Sequence, residues 1–316
     1  MPVQEGELRM AEPEKVKKST EIPVPVPDWL SRELKNRVTV SPDLEKLIFV
    51  GVINRTNTGA LTTAIGRAPT ETPITRHIQP VKAIARGLVA KRSGIAASTP
   101  LEYLKDTVEI GPGTQLIKET IGPNFENPAE WMETMQLLIE AGVDPRKIVF
   151  IPTFREPLDT FLSWMKMWNW DVATFPYDSF VFSYQKSLEM IQFAEKMGMT
   201  VVPYIHEFLR DLGATKTLTA MMGKAGLPFS EDMVNWSDEE DAYWQGTIVK
   251  YDVPPNNWIQ GALSVTKGGR GGLVWRAPSA ETTLTASEQQ LVMQKIQKAD
   301  RIYKQMVALA RKSLRR

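Results

Sequence analysis

The residues of this sequence best placed to do chemistry are two arginines, each set where an apolar run gives way to a helix start. The first turn reads Gly51-Val52-Ile53-Asn54-Arg55-Thr56-Asn57-Thr58. It closes the run Leu47 to Ile53, a continuous apolar stretch that predicts a strand buried on both faces. Leu61, Ala64 and Ile65 then recur at helical spacing. Strand, polar turn and helix start together present backbone N–H groups and the positive end of a helix dipole to an anion. Against the phosphate-loop pattern G-x-x-x-x-G-K-[ST], Thr56 stands at the second glycine and Asn57 at the lysine. Thr58 keeps the hydroxyl, and the cation is Arg55, two residues early. Such a loop suits a single 5′-phosphate with a cation beside a transferring bond better than it suits a triphosphate. An ordinary strand-to-helix connection is the competing reading.

The second turn runs from Phe150-Ile151-Pro152-Thr153-Phe154 through Arg155-Glu156-Pro157 to Asp159 and Ser163. Arg155 sits at the predicted strand end, and Ser163 follows eight residues later, about two turns into a helix. A guanidinium fork and a hydroxyl so spaced converge on one phosphate from two sides. The plainer alternative is a capping turn with a solvated arginine and a core-facing serine.

The elements that must position these groups alternate. After the strand ending at Ile53 comes a weaker strand candidate, Gln115-Leu116-Ile117-Lys118. Asn127-Pro128-Ala129-Glu130 predicts a helix start, with a capping Asn, Pro in the first turn and a returning Glu, running through Trp131, Met135 and Leu138 to Gly142. Lys147 to Ile151 predicts a strand, Pro157 to about Trp168 a helix, and Lys186 to Met197 another that stops at Gly198. Val201-Val202-Pro203-Tyr204 predicts a short strand despite its proline. The capping box Thr285-Ala286-Ser287-Glu288 opens a last helix, with the stripe Val292, Ile296, Ala299, Tyr303 and Met306 as its packing face. This alternation predicts an α/β fold whose central, mostly parallel sheet is flanked by helices, with ligands at the carboxyl ends of the strands.

Composition bounds the rest. The 316 residues carry a formal net charge of +1, so no bulk attraction to nucleic acid or an anionic membrane is expected. The chain has no cysteine, which excludes a disulfide scaffold, a thiolate nucleophile and a Cys-ligated metal. With His77 and His206 its only histidines, a histidine-rich metal centre is not expected either. Its N-terminus is polar and lacks the apolar core of a secretory signal, and no apolar run is long enough to span a bilayer, so a cytoplasmic location is expected. Residues 1–40, with Pro23-Val24-Pro25-Val26-Pro27 and an anchoring Trp29, are expected to form an extended or partly disordered arm, and residues 41–316 a single α/β domain.

The segment from Lys147 through Arg155-Glu156-Pro157 and Asp159 to Ser163-Trp164 resembles the 3′-phosphate-binding segment of sulfotransferases, a hydrophobic strand followed by R-[DN]-P-x-D with a serine eight residues after the arginine. Arg55-Thr56-Asn57-Thr58-Gly59 is similar to that family's first loop, P-[KR]-[ST]-G-T-[TS], with Asn54, Asn57 and Gly59 as departures. Thr266-Lys267-Gly268-Gly269-Arg270-Gly271 is similar to its late R-K-G-x-x-G loop. Val202 to Glu207 resembles its Tyr-Glu strand end, with His206 where the tyrosine beside the adenine would be. The resemblance covers roughly residues 46 to 275. It implies a P-loop-type sulfotransferase fold and 3′-phosphoadenylyl sulfate as sulfuryl donor, with adenosine 3′,5′-bisphosphate (PAP) as product and a small-molecule hydroxyl or amine as acceptor. No metal is implied, and a homodimer is compatible with it.

For this reading Arg55 is the catalytic cation. Arg55, Thr56, Asn57, Thr58 and Gly59, with Arg155, Ser163, His206, Lys267 and Gly268, are the donor-binding residues. Lys118-Glu119-Thr120 resembles the family's Lys-Thr-His strand end, with Thr120 in the histidine position. Lys118 is then a candidate to steady the sulfuryl group, and His77, Glu119 and Glu71 are, in that order, candidate bases. Trp168 and Trp170 are candidates for an apolar acceptor wall. Two alternatives stand beside this reading: a nucleotide-binding protein of the same fold without transferase activity, and a P-loop kinase, which the missing lysine disfavours.

Overall fold

The computed structural model describes residues 23–94, 105–236, 248–251, 272–275 and 284–314. In chain order these contain α1 (Asp28–Lys35), β1 (Val38–Val40), β2 (Leu44–Ile53), α2 (Thr58–Gly66), β3 (Thr75–Ile78), α3 (Pro80–Ser93), β4 (Val108–Ile110) and β5 (Gly113–Ile121). After a 3₁₀ turn at Pro128–Trp131 come α4 (Thr134–Glu140), β6 (Ile148–Phe154), α5 (Pro157–Trp168), α6 (Tyr177–Lys196), β7 (Thr200–Val201) and β8 (Tyr204–Ile205). The chain continues through α7 (Phe208–Asp211), α8 (Ala214–Ala225), β9 (Ile248–Lys250), α9 (Ala286–Lys295) and α10 (Gln297–Leu314). Among the described residues no helix is long and apolar enough to cross a membrane.

The main sheet has seven strands in the order β7-β6-β2-β5-β3-β9, with β8 also paired to β6, and every pairing is parallel. β1 and β4 form a separate parallel pair. The expected α/β architecture is therefore present. β2 lies at the centre, in register with β5 from Lys46 to Ile53 and with β6 from Leu47 to Val52. Buried on both faces, it has no use for polar alternation. Leu47 and Phe49 join the cluster that includes Val81 and Ile84 of α3 and Phe180, Tyr184 and Ile191 of α6. Ile48 and Val50 join Leu61 and Ile65 of α2 and Leu218 and Met222 of α8. Each such side chain contributes roughly 1.5–3 kcal/mol on burial.

Four elements depart from the sequence expectation. Residues 28–40 are not an extended arm: α1 and β1 occupy them, and Leu30 and Leu34 are fully buried, so the fold begins well before residue 41. The helix expected over 127–142 breaks into a 3₁₀ turn and α4. Asn127 does cap it, accepting from Ala129 N, but Glu130 turns away from the cap to pair with Lys82 and Arg86. α6 starts at Tyr177, nine residues before Lys186; buried Ser183 and Ser187 hide its apolar face by bonding back to the carbonyls of Phe180 and Ser183. The strand expected at 201–204 is split into β7 and β8 around Pro203, which has no N–H for the ladder. The capping box at Thr285 is present in both directions, and Val292, Ile296, Ala299 and Met306 are buried as expected, although the helix breaks at Ile296.

In β2, a Cβ added at Gly51 would lie 1.7 Å from the carbonyl oxygen of Glu119 in β5. Because that obstacle is backbone, the strands themselves would have to separate. Gly51→Ala is expected to destabilise the fold by about 3 kcal/mol or more. Urea unfolding followed by circular dichroism checks this; an unchanged midpoint would contradict the close packing.

Candidate anion site at the strand ends

The loop from β2 to α2 is held from both sides by Asn54. Its side-chain Nδ2 donates to the carbonyl of Ile121 at 2.6 Å, and its own carbonyl accepts from Trp164 Nε1 at 3.0 Å. Between these anchors Arg55 and Asn57 both adopt left-handed backbone, with φ of 67° and 69°. Asparagine tolerates this conformation; arginine does so only under constraint. Such alternation turns successive N–H groups inward to a concavity that binds anions. No side chain caps α2 at Asn57, so its dipole faces the same space. The Thr56 hydroxyl is not part of this surface: it donates to Ile53 O at 2.8 Å and shares a hydrogen bond with Thr153 Oγ1 at 2.7 Å in the interior, leaving only the backbone N–H for a ligand. The Thr58 hydroxyl has no partner among the described residues, and Gly59 has open space around it.

The turn from β6 to α5 faces this loop. Arg55 Nε donates to Ser163 Oγ at 3.1 Å, so the two turns read from the sequence meet. Arg155 lies 3.6 Å from Asp159, and its Nε is buried with no hydrogen-bond partner among the described residues. Its backbone is fixed by Tyr184, whose hydroxyl donates to the Arg155 carbonyl at 2.9 Å. Glu207 accepts from the backbone N–H of Glu156 at 3.0 Å and from the Tyr303 hydroxyl at 2.7 Å, fastening α10 to the same turn. Surrounding protein and the charge of Arg155 both lower the pKa of Arg55, although a guanidinium stays protonated.

A third cation, Lys118, belongs to β5, paired with Val50 on one side and Ile78 on the other. It is half-buried, and among the described residues no hydrogen bond or ion pair reaches its ammonium. Desolvation, and then the nearby Arg55, push its pKa down to about 8. Thr120 is buried with its hydroxyl unpartnered.

The neighbouring carboxylate behaves differently. Glu119 Oε1 accepts from the backbone N–H groups of Val81 (2.8 Å) and Lys82 (3.2 Å), capping α3. Burial raises its pKa to about 7 against the pull of Lys82. Lys82 in turn pairs with Glu130 and donates to the Thr120 carbonyl at 2.9 Å, and Arg86 Nε reaches Glu130 at 2.9 Å. A small cavity of about 20 Å³ lies among Phe49, Lys82, Glu119, Glu130 and Met190. This buried ionic group was missed by the sequence reading, which took Glu130 for a capping residue. The signal was Lys82 itself, set among Val81, Ala83, Ile84 and Ala85 on a helix with no solvent face there.

His77 is not at the site as a free base. It is buried in β3, with Nδ1 at 2.6 Å from the Tyr251 hydroxyl and Nε2 at 2.9 Å from Gln115 Oε1, so both ring nitrogens are engaged. Burial lowers its pKa. Glu71 is exposed. His206 is buried, 3.3 Å from the Tyr204 hydroxyl through Nδ1; Tyr204 also accepts from Asn57 Nδ2 at 3.2 Å, tying β8 to the first loop. Desolvation and then Arg155 and Arg210 push the His206 pKa down to about 3, so the ring is neutral. Lys267 and Gly268 lie outside the described residues. Trp168 and Trp170 are half-buried and stacked, centroids 5.2 Å apart, against the core around Phe175.

No protein-family model matches the chain, and no curated protein matches it. Among solved structures, the mouse sulfotransferase SULT7A1 complexed with PAP overlays with a TM-score of 0.44 at 15% sequence identity, over 90% of this chain and 95% of that one. So loose an overlay assigns no residue its role.

The unneutralised Lys118 costs the free protein stability. Its folded pKa lies below the unfolded value, so the penalty is fully present below about pH 8 and disappears as pH rises to the unfolded value near 10.5. Lys118→Met is expected to raise the stability of the ligand-free protein by about 1–3 kcal/mol at pH 7. Chemical denaturation at pH 7 and pH 10 checks the sign: the gain must shrink at the higher pH.

Proposed function

We propose that the chain is a sulfotransferase that moves a sulfuryl group from 3′-phosphoadenylyl sulfate to a hydroxyl or amine of a small-molecule acceptor by in-line transfer. The observation that carries this reading is the bond from Arg55 to Ser163, which sets the turn after β2 against the turn after β6 that holds Arg155, with Asp159 the carboxylate paired to Arg155 among the described residues. Such a cluster calls for a polyanion with more than one phosphate-like group. The backbone of residues 55–59 and the start of α2 suit the 5′-phosphate. Arg155 and Ser163 suit the 3′-phosphate, and neutral His206 suits the face or edge of the adenine.

In this mechanism Arg55 stabilises the charge that grows on the leaving phosphate oxygen as the S–O bond breaks. Its bond to Ser163 gives it a defined position before that charge develops. Thr120, standing where a histidine base would be expected, favours a second reading, a nucleotide-binding protein of this fold without transferase activity. Measured turnover of the sulfuryl donor distinguishes the two. The reaction is compatible with a soluble cytoplasmic enzyme and needs no nucleic-acid or membrane partner.

Two outcomes test the reading. Calorimetry is expected to show PAP binding at least tenfold more tightly than adenosine 5′-monophosphate, since each charge-assisted bond to the additional phosphate contributes about 1.5–3 kcal/mol. Arg155→Ala should erase most of that difference; equal affinity of the unaltered protein for both nucleotides would remove the assignment of Arg155 and Ser163. Arg55→Ala should lower turnover at saturating donor on the order of 10²–10³-fold, with a smaller change in donor affinity. A variant that binds donor weakly yet keeps full turnover at saturation would make Arg55 a phosphate clamp only.

A further inference from the structure

We propose that the bond from the Tyr251 hydroxyl to His77 Nδ1 is an acid-sensitive latch that holds β9 on the edge of the sheet. The direction of each bond around His77 follows from the end of the chain that has no choice. The carbonyl of Pro112 can only accept, so Gln115 Nε2 donates to it, at 2.7 Å. That orientation turns Gln115 Oε1, an acceptor, toward His77 Nε2 at 2.9 Å. Nε2 therefore carries the ring proton. Nδ1 keeps its lone pair and can only accept, and the Tyr251 hydroxyl donates to it at 2.6 Å. His77, Gln115 and Tyr251 are all buried, so a bond lost here is not replaced by one to solvent.

β9 has little else to hold it. Its three residues pair in parallel with β3 alone among the described residues. Tyr251 follows directly, with Lys105 Nζ 5.7 Å from its ring centroid and its carbonyl accepting from Lys105 N at 2.9 Å. β3 keeps β5 on its other side, so β9 can leave while the rest of the sheet stays paired. A proton added to His77 puts hydrogen on both ring nitrogens, and Nδ1–H then faces the hydroxyl that had been donating to it. Burial opposes this charged ring most, the Gln115 bond favours it, and Lys105 opposes it. Burial first, then Glu109 of β4 and Glu119 of β5, oppose loss of the Tyr251 proton, so the tyrosine stays a donor and cannot compensate. With β9 detached, His77 lies on a strand edge open to water and regains its ordinary basicity. The attached state thus binds fewer protons than the detached one. Attachment is at full strength above the ordinary histidine value of 6.5 and weakens as pH falls from there toward the lowered value of the buried ring.

The test is hydrogen exchange of the full chain between pH 8 and pH 5, read as protection factors corrected for the intrinsic pH dependence of exchange. Protection of the amides of residues 248–251 should be level down to about pH 6.5 and then fall by up to about tenfold per pH unit, the slope of one proton. Amides of β2 should not follow this slope. His77→Gln, which cannot titrate, should abolish it. Tyr251→Phe keeps the ring and removes the donor, and should lower the protection of these amides at pH 8 by about tenfold or more. Nitrogen-15 NMR of the imidazoles at pH 8 should show the proton on Nε2 of His77, whose signals are the set missing from His77→Gln, since the chain has only one other histidine. The unaltered protein alone is decisive should either variant fail to fold. A proton on Nδ1 at pH 8 would overturn the proposal. So would protection of β9 that stays level to pH 5, a fall shared equally by β2, or a slope that persists in His77→Gln.

Discussion

The structure depends on holding like charges together. Arg55, Arg155 and Lys118 come from three different strand ends, and their mutual repulsion in a partly desolvated space is a cost that the free protein must carry. Ser163 and Asp159 hold the two guanidinium groups, and the scaffold holds the backbone that carries them. Asn54 ties the first loop to β5 and to α5 at once. Tyr184 fixes the carbonyl of Arg155, and Glu207 fixes the N–H of Glu156. Arg55 and Asn57 are held in left-handed backbone, a conformation that would relax if those anchors were lost. Local strain and repulsion between cations meet at one place.

Directly beyond β5, a second set of charges is arranged in the opposite way. Lys82, Arg86, Glu130 and Glu119 are buried or nearly so, and each has an opposite partner or backbone donors. A paired group of this kind adds little net stability over apolar packing, yet losing one member would leave a bare charge in the interior. Its effect here is positional. Lys82 links α3 to the carbonyl of Thr120 and to Glu130, so the strand carrying Lys118 is clamped on its far side. β5 therefore carries Lys118, whose ammonium has no hydrogen bond or ion pair among the described residues, next to Glu119, whose carboxylate caps α3.

How much of this was readable beforehand follows from the range of each interaction. The turns that carry Arg55, Arg155 and Ser163 were legible because they depend on local order, a strand end followed by a helix, and the two turns meet through the bond from Arg55 to Ser163. The parallel sheet was legible from its apolar runs. The partners of buried polar groups were not. His77 looked like a free histidine because Tyr251 and Gln115, its partners, are distant in sequence. Glu130 fits a capping pattern perfectly and is drawn off it by Lys82, forty-eight residues earlier. Asn57 read as a damaged glycine position, whereas its side chain has a task of its own on Tyr204.

That contact bears on why the first loop can depart from a glycine-rich pattern and still present its N–H groups. Glycine reaches positive φ without cost but remains free to leave it. Asparagine reaches it at modest cost, and here its amide is bonded to a buried tyrosine on β8. The loop then needs no ligand to stay in shape. The same bond connects the first loop to the strand that leads into Glu207, and Glu207 in turn receives both the α5 turn and the hydroxyl of Tyr303 from α10. The two turns therefore share a single continuous framework running from Asn57 through β8 to the C-terminal helix.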